Sequence, residues 1–170
     1  MKKTAVIIGI LAVIGLGAFA YLGGFEEVPI EVKPSEDIRL YGLTYRGTPQ
    51  DERLRETFEQ IEALKEANPE AVMHTIYFIE PAGKLDTMQV FVGLDRLVSG
   101  SEDFLQEKVI AADRVLVADI QINKLVMPRP ERIKGLLIDF AEEQDLRLQG
   151  LFIDRLLAED HVQVLAPLKE

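Results

Sequence analysis

At 170 residues, 48% hydrophobic and 28% charged, the chain is long enough for one ordinary core and too short for several independent domains. Its 29 acidic and 19 basic residues give a net charge of -10 with no basic stripe, which excludes nucleic-acid binding by counterion release. Cysteine is absent and only two His occur, which removes disulfides, thiol nucleophiles and Cys- or His-rich metal centres, so no metal and no cofactor is expected.

From Thr4 to Phe25 there is no charged residue. A helix over this run would reach about 30 Å, the thickness of a bilayer's hydrocarbon core. Residues 1–25 therefore read as a transmembrane anchor or a signal peptide. Ala18, Phe19 and Ala20 offer a small-x-small cleavage site, but the apolar run continues to Gly24, which favours the uncleaved anchor. Lys2 and Lys3 precede the run, while Glu26 and Glu27 follow it. The positive-inside bias then holds the N-terminus in the cytoplasm and places the domain outside it. Residues 26–37 are a linker or an edge strand, with Val28, Ile30 and Val32 alternating with polar residues or Pro29.

The domain, 38–170, reads as one module written twice, strand, helix, strand, strand, in halves 38–95 and 114–170. In the first half, a strand over 38–46 precedes a helix over 50–67 with Leu54, Phe58, Ile61 and Leu64 at helical spacing. Asn68 and Pro69 stop it, and strands over 73–80 and 87–95 follow, joined through Pro81, Ala82 and Gly83. In the second half, a strand over 114–124 and a helix over 131–144, with Ile133, Leu136, Leu137 and Phe140 on one side, precede strands over 151–157 and 161–168. The closing strands overlay: Met88 to Leu94 on Val162 to Leu168, Gln on Gln and apolar on apolar, with Gly93 on Pro167 as the exception. The fold class is α+β, an antiparallel sheet with helices on one face and the opposite face available for a ligand.

Catalytic signatures are absent: no nucleophile elbow, phosphate loop, His-Glu-x-x-His or dinucleotide fingerprint. No catalytic residue is therefore assigned. His74 and His161 begin predicted strands and read as surface or capping residues. Gln89 and Gln163 interrupt apolar strand patterns, either as solvent-facing amides or as hydrogen-bonding groups of a cleft. Tyr41, Tyr45, Tyr77 and Phe78 are strand aromatics that either pack or line that cleft.

The segments Tyr41-Gly-Leu-Thr-Tyr-Arg-Gly47, Ile76-Tyr-Phe-Ile-Glu-Pro81, Val90-Phe-Val-Gly-Leu94 and Val162-Gln-Val-Leu-Ala-Pro-Leu168 resemble the motifs of GyrI-like small-molecule-binding domains over about Phe25 to Lys169. The resemblance implies two pseudo-symmetric modules with a ligand cleft between them. Members serve as sensor domains of multidrug-responsive regulators, as stand-alone proteins and, in a subset, as hydrolases of cyclopropane-bearing compounds. A membrane helix before such a domain is also similar to the architecture of an ER-phagy receptor family. Gln163 stands where members commonly carry an acidic residue, and Phe78 where a second Tyr is frequent. An amide neither neutralises a cation nor transfers a proton as a carboxylate does.

The sequence thus points to a membrane-anchored extracytoplasmic domain binding a small apolar or amphipathic compound without transforming it. Tyr45, Tyr77 and Phe91 would cover the ligand body, with Gln89 and Gln163 orienting its polar end. The alternative is a protein-interaction module whose pocket is filled by bulky side chains. A hydrolase would need Glu80 or Asp154 facing the cleft beside a Tyr.

Overall fold

The computed structural model describes residues 12–17, 20–21, 27–121, 123 and 126–169. The expected anchor over residues 1–25 lies largely outside them, as does part of 122–125 at the end of an expected strand. Among the described residues no helix is long and apolar enough to cross a membrane.

Among the described residues, eight strands and two helices form the domain: β1 (Ile30–Pro34), β2 (Ile38–Gly47), α1 (Glu52–Ala67), β3 (Met73–Ile79), β4 (Met88–Leu94), β5 (Gln106–Ile110), β6 (Arg114–Gln121), α2 (Pro130–Glu143), β7 (Ile153–Ala158) and β8 (His161–Pro167). The strands make one antiparallel sheet in the order β1-β6-β8-β7-β3-β4-β2-β5. The strand-helix-strand-strand order occurs twice, and the halves meet at the β3–β7 seam.

β5 lies in 96–113, a stretch to which the sequence assigned no element. Its sequence Gln-Glu-Lys-Val-Ile buries only Ile110, so an apolar period is nearly absent. Its place follows from reciprocal exchange. β1 leads into β2 but pairs with β6, and β5 leads into β6 but pairs with β2. Both ladders share one register, with Pro34 opposite Arg114 and Ile38 opposite Ile110. The Ser35 N–H donates to the Asp113 carbonyl at 2.8 Å where the ladders break.

One ribbon therefore joins the two ends of the sheet, which forces curvature. On a flat sheet the six steps from β1 to β2 would cover about 29 Å. The chain between Pro34 and Ile38 reaches at most about 14 Å. The sheet must curl, and Gly42 and Gly93, directly opposed on β2 and β4, permit close approach there. A Cβ on Gly42 would collide with the Val92 carbonyl, and one on Gly93 would lie 2.7 Å from the Tyr41 carbonyl oxygen.

Both helices pack on the convex face. Asp51 caps α1 by accepting from the Arg53 N–H at 3.0 Å, and the Asn68 side chain closes it by donating to the Leu64 carbonyl at 2.8 Å. Ile61 is fully buried against Met73, Val90, Val92 and Leu94. Pro130 opens α2, whose Ile133, Leu137 and Ala141 pack on Leu116, Ala118, Val164 and Ala166. The concave face carries a third apolar cluster, including Leu40, Ile76, Phe91, Val117, Ile153 and Leu165. The face expected to lie open is thus partly closed by curling, because the ribbon brings β2 and β6 around it.

Candidate functional site

Register places one polar row across the concave face. Asp119 opposes Gln163, Gln163 opposes Arg155, and Arg155 opposes His74 across the seam. His74 in turn opposes Gly93, and Gly93 opposes Gly42, so the row ends in two residues without side chains. Directly opposed residues of antiparallel strands share a face, so these groups stand side by side. Two residues along, a parallel row is apolar: Val117, Leu165, Ile153, Ile76 and Phe91. The two rows meet in a cleft of about 670 Å³, whose walls include Leu40, His74, Val117, Arg155, Gln163 and Leu165 and whose rim is the 33–39 segment.

The electrostatics of the polar row are asymmetric. His74, expected at the surface, is 4% exposed. Burial, helped by the positive charge of Arg155, pushes its pKa down to about 4 against an opposing bond to the Val72 carbonyl. The ring is therefore neutral near pH 7. Nδ1 lies 3.0 Å from that carbonyl, so the proton sits on Nδ1 and Nε2 is left as an acceptor. Asp95 accepts from the Val72 N–H at 2.9 Å and from Arg96 at 3.3 Å. Burial works to raise its carboxyl, but those donors hold it below its ordinary value.

At the other end, Asp119 Oδ1 lies 2.6 Å from His161 Nε2 and accepts from Gln163 Nε2 at 3.1 Å. Burial again acts to raise this carboxyl, and the bonds to His161 and Gln163 outweigh it. Arg155, between the two ends, has its Nε buried with no hydrogen-bond partner.

Of the five ligand residues expected from sequence, the structure does not gather a single pocket wall. Gln163 lines the cleft. Phe91 faces the same side but is fully buried at the end of the apolar row and does not line the cleft. Gln89 lies on that face further along β4, four residues from Gly93 and so about 13 Å away. Tyr45 and Tyr77 point to the opposite, helix-bearing face. Tyr45 donates to the Thr48 carbonyl at 2.8 Å and packs under α1. Register separates Tyr45 and Tyr77 from Phe91: both oppose Val90, whose side chain takes the face opposite to that of its neighbour Phe91.

His74, Arg155 and Asp119 were not among the expected site residues. Their signal was present in weak form. Arg155 shares a face with the buried Ile153, and Asp119 with Val115 and Val117, so each is a charged residue at a position whose neighbours are buried.

A second titratable cluster sits on the helix-bearing face of the seam. Lys134 on α2 pairs with Glu80 and lies 5.9 Å from the Tyr77 ring centroid and 5.6 Å from that of Phe152. Burial raises the Asp154 carboxyl, with Lys134 opposing, and burial lowers the Lys134 ammonium, with Asp154 opposing. Asp154 borders a narrower slot of about 300 Å³ between α1 and α2. Neither Asp154 nor Glu80 lines the larger cleft. Among the described residues no group of three or more metal-ligating side chains occurs.

No family model and no curated protein matches the chain. Solved structures do. The C-terminal domain of EcmrR matches with a TM-score of 0.55 at 14% identity, over 84% of this chain and 98% of that one. SAV2435 bound to tetraphenylphosphonium matches with a TM-score of 0.54 at 10% identity, over 83% and 94%. A hydrolase from Listeria innocua matches with a TM-score of 0.58 at 6% identity, over 89% and 98%. At these identities the likeness is one of fold.

Proposed function

We propose that the chain is a small-molecule-binding domain that takes an apolar or amphipathic ligand into the concave cleft without transforming it. The observation that carries the reading is the cleft itself. Its volume of about 670 Å³ falls in the range of small-molecule sites, and it sets a polar row beside an apolar one. A filled cleft would have favoured a protein-interaction module. The same fold holds tetraphenylphosphonium in SAV2435, which supports a ligand role here. Hydrolysis is not part of the proposal, because Asp154 and Tyr77 stand on the other face of the sheet from the cleft.

The apolar run from Thr4 to Phe25 supports a further element of the proposal, that the domain is held at a membrane with its N-terminus in the cytoplasm. Alkaline washing of membranes should leave the chain in the pellet, and protease added from the outer side should cut the domain. Release by the wash, or protection from the protease, would remove the anchor from the proposal.

Native mass spectrometry of the full-length chain tests the cleft. A retained small molecule is expected on the wild type and is expected to be lost from Leu165→Trp, which fills the cleft wall. Retention of the same mass in that variant would show that it binds elsewhere.

A further inference from the structure

We infer that the ligand of this cleft is an organic oxyanion, an apolar acid whose carboxylate docks on Arg155. The inference rests on the reading of the cleft as a small-molecule site and adds the charge of its occupant.

The uncompensated guanidinium of Arg155 is its basis. Arg155 occupies the middle of the polar row, next to the seam, with its Nε buried and unpartnered. Among the described residues no carboxylate lies within ion-pair distance of it. The acid on the row, Asp119, and the one at its margin, Asp95, are committed elsewhere. Asp119 serves His161 and Gln163, and Asp95 serves the Val72 N–H and Arg96. Gln163, on the neighbouring strand, is neutral. A buried N–H with no acceptor costs free energy that a ligand oxygen would restore.

The neighbours fit the same occupant. His74 is neutral beside Arg155, so it does not compete for the anion as a second cation, and the field that helps keep it neutral is positive. Glu36 and Asp37 on the rim are exposed, where solvent and salt screen them from a charge at the floor. Val117, Leu165 and Leu40 line the same cleft as Arg155 and would cover an aliphatic or aromatic body. The planar fork of Arg matches a carboxylate through two parallel hydrogen bonds. A cationic ligand in this position would meet a like charge.

Calorimetry of the full-length chain with three probes of one shape tests this: naphthalene-2-carboxylate, naphthalene-2-ylmethylammonium and naphthalene-2-methanol. The carboxylate is expected to bind at least about tenfold tighter than the ammonium, the size of one charge-assisted hydrogen bond. Arg155→Met should lose that advantage, and Arg155→Lys should fall between, since it keeps the charge without the fork. Melting temperatures of both variants show whether the fold is retained. If the alcohol and the ammonium bind but the carboxylate is no tighter, or if both variants keep the wild-type carboxylate affinity, the charge assignment is overturned and the cleft reading stands. If none of the three binds, or if Leu165→Trp leaves their binding unchanged, the cleft reading falls and this inference with it.

Discussion

His74 and Arg155 stand directly opposite each other across the β3–β7 seam, a neutral imidazole beside a guanidinium whose Nε is buried without a partner. The pair belongs to the two halves of the molecule, one residue from each. It exists only because antiparallel pairing at the seam sets position 74 against position 155.

The first prediction concerns pH. His74 titrates at about 4 in the folded state, against 6.5 as its ordinary value. Between these values the unfolded chain binds a proton that the folded chain does not. The contribution of His74 to stability is therefore complete above about pH 6.5 and is lost as pH falls toward 4, by at most about 3 kcal/mol. Asp154, whose carboxyl is raised, acts in the opposite sense from its ordinary value upward. His74→Gln leaves Asp154 in place and can still donate to Val72, so the comparison isolates the imidazole. Urea unfolding midpoints from pH 7 to pH 4.5 should fall less in the variant. Equal slopes would count against a buried neutral His74.

A second prediction tests the curl. Gly42→Ala would drive a methyl into the Val92 carbonyl, which is backbone and cannot swing aside. The expected cost is at least about 2 kcal/mol, in the range of strained or overpacked sites. Chemical denaturation measures it. A cost below about 0.5 kcal/mol would show that β2 and β4 separate easily at this point.

The seat of α1 gives a third. Ile61→Ala removes a fully buried side chain and should cost about 2 to 5 kcal/mol, whereas Arg55→Ala breaks only exposed pairs with Glu52 and Glu59 and should leave stability nearly unchanged. Thermal unfolding of the two variants side by side decides whether burial or surface charge holds the helix.

The cluster on the helix-bearing face provides the fourth. Lys134 opposes the upward pull of burial on Asp154. In Lys134→Met the carboxyl should therefore titrate at a higher pH than in the wild type. Carboxyl-carbon NMR follows that titration directly. An unchanged midpoint would mean that the ammonium acts on Glu80 alone.

The sequence by itself determined the order of elements, because each rests on local signals. Helical spacing of Leu54, Phe58 and Ile61, the Asn68-Pro69 stop and the alternation through Val90, Val92 and Leu94 are each readable within a short window. It also determined that the two halves repeat, and that both helices cover one face. The strand at 106–110 stayed hidden because its pairing, not its apolar pattern, makes it a strand.

Only the tertiary structure decided the site. The exchange of β1 and β5 between the halves is a long-range pairing, and with three-residue links it compels the sheet to curl around a cleft. Which polar groups meet there depends on register across six strands, and a shift of one residue on any of them would turn its side chains to the other face. The residues chosen from chemistry alone were divided by that rule between two faces. Asp119, Gln163, Arg155 and His74, far apart in the chain, were brought into one row by it.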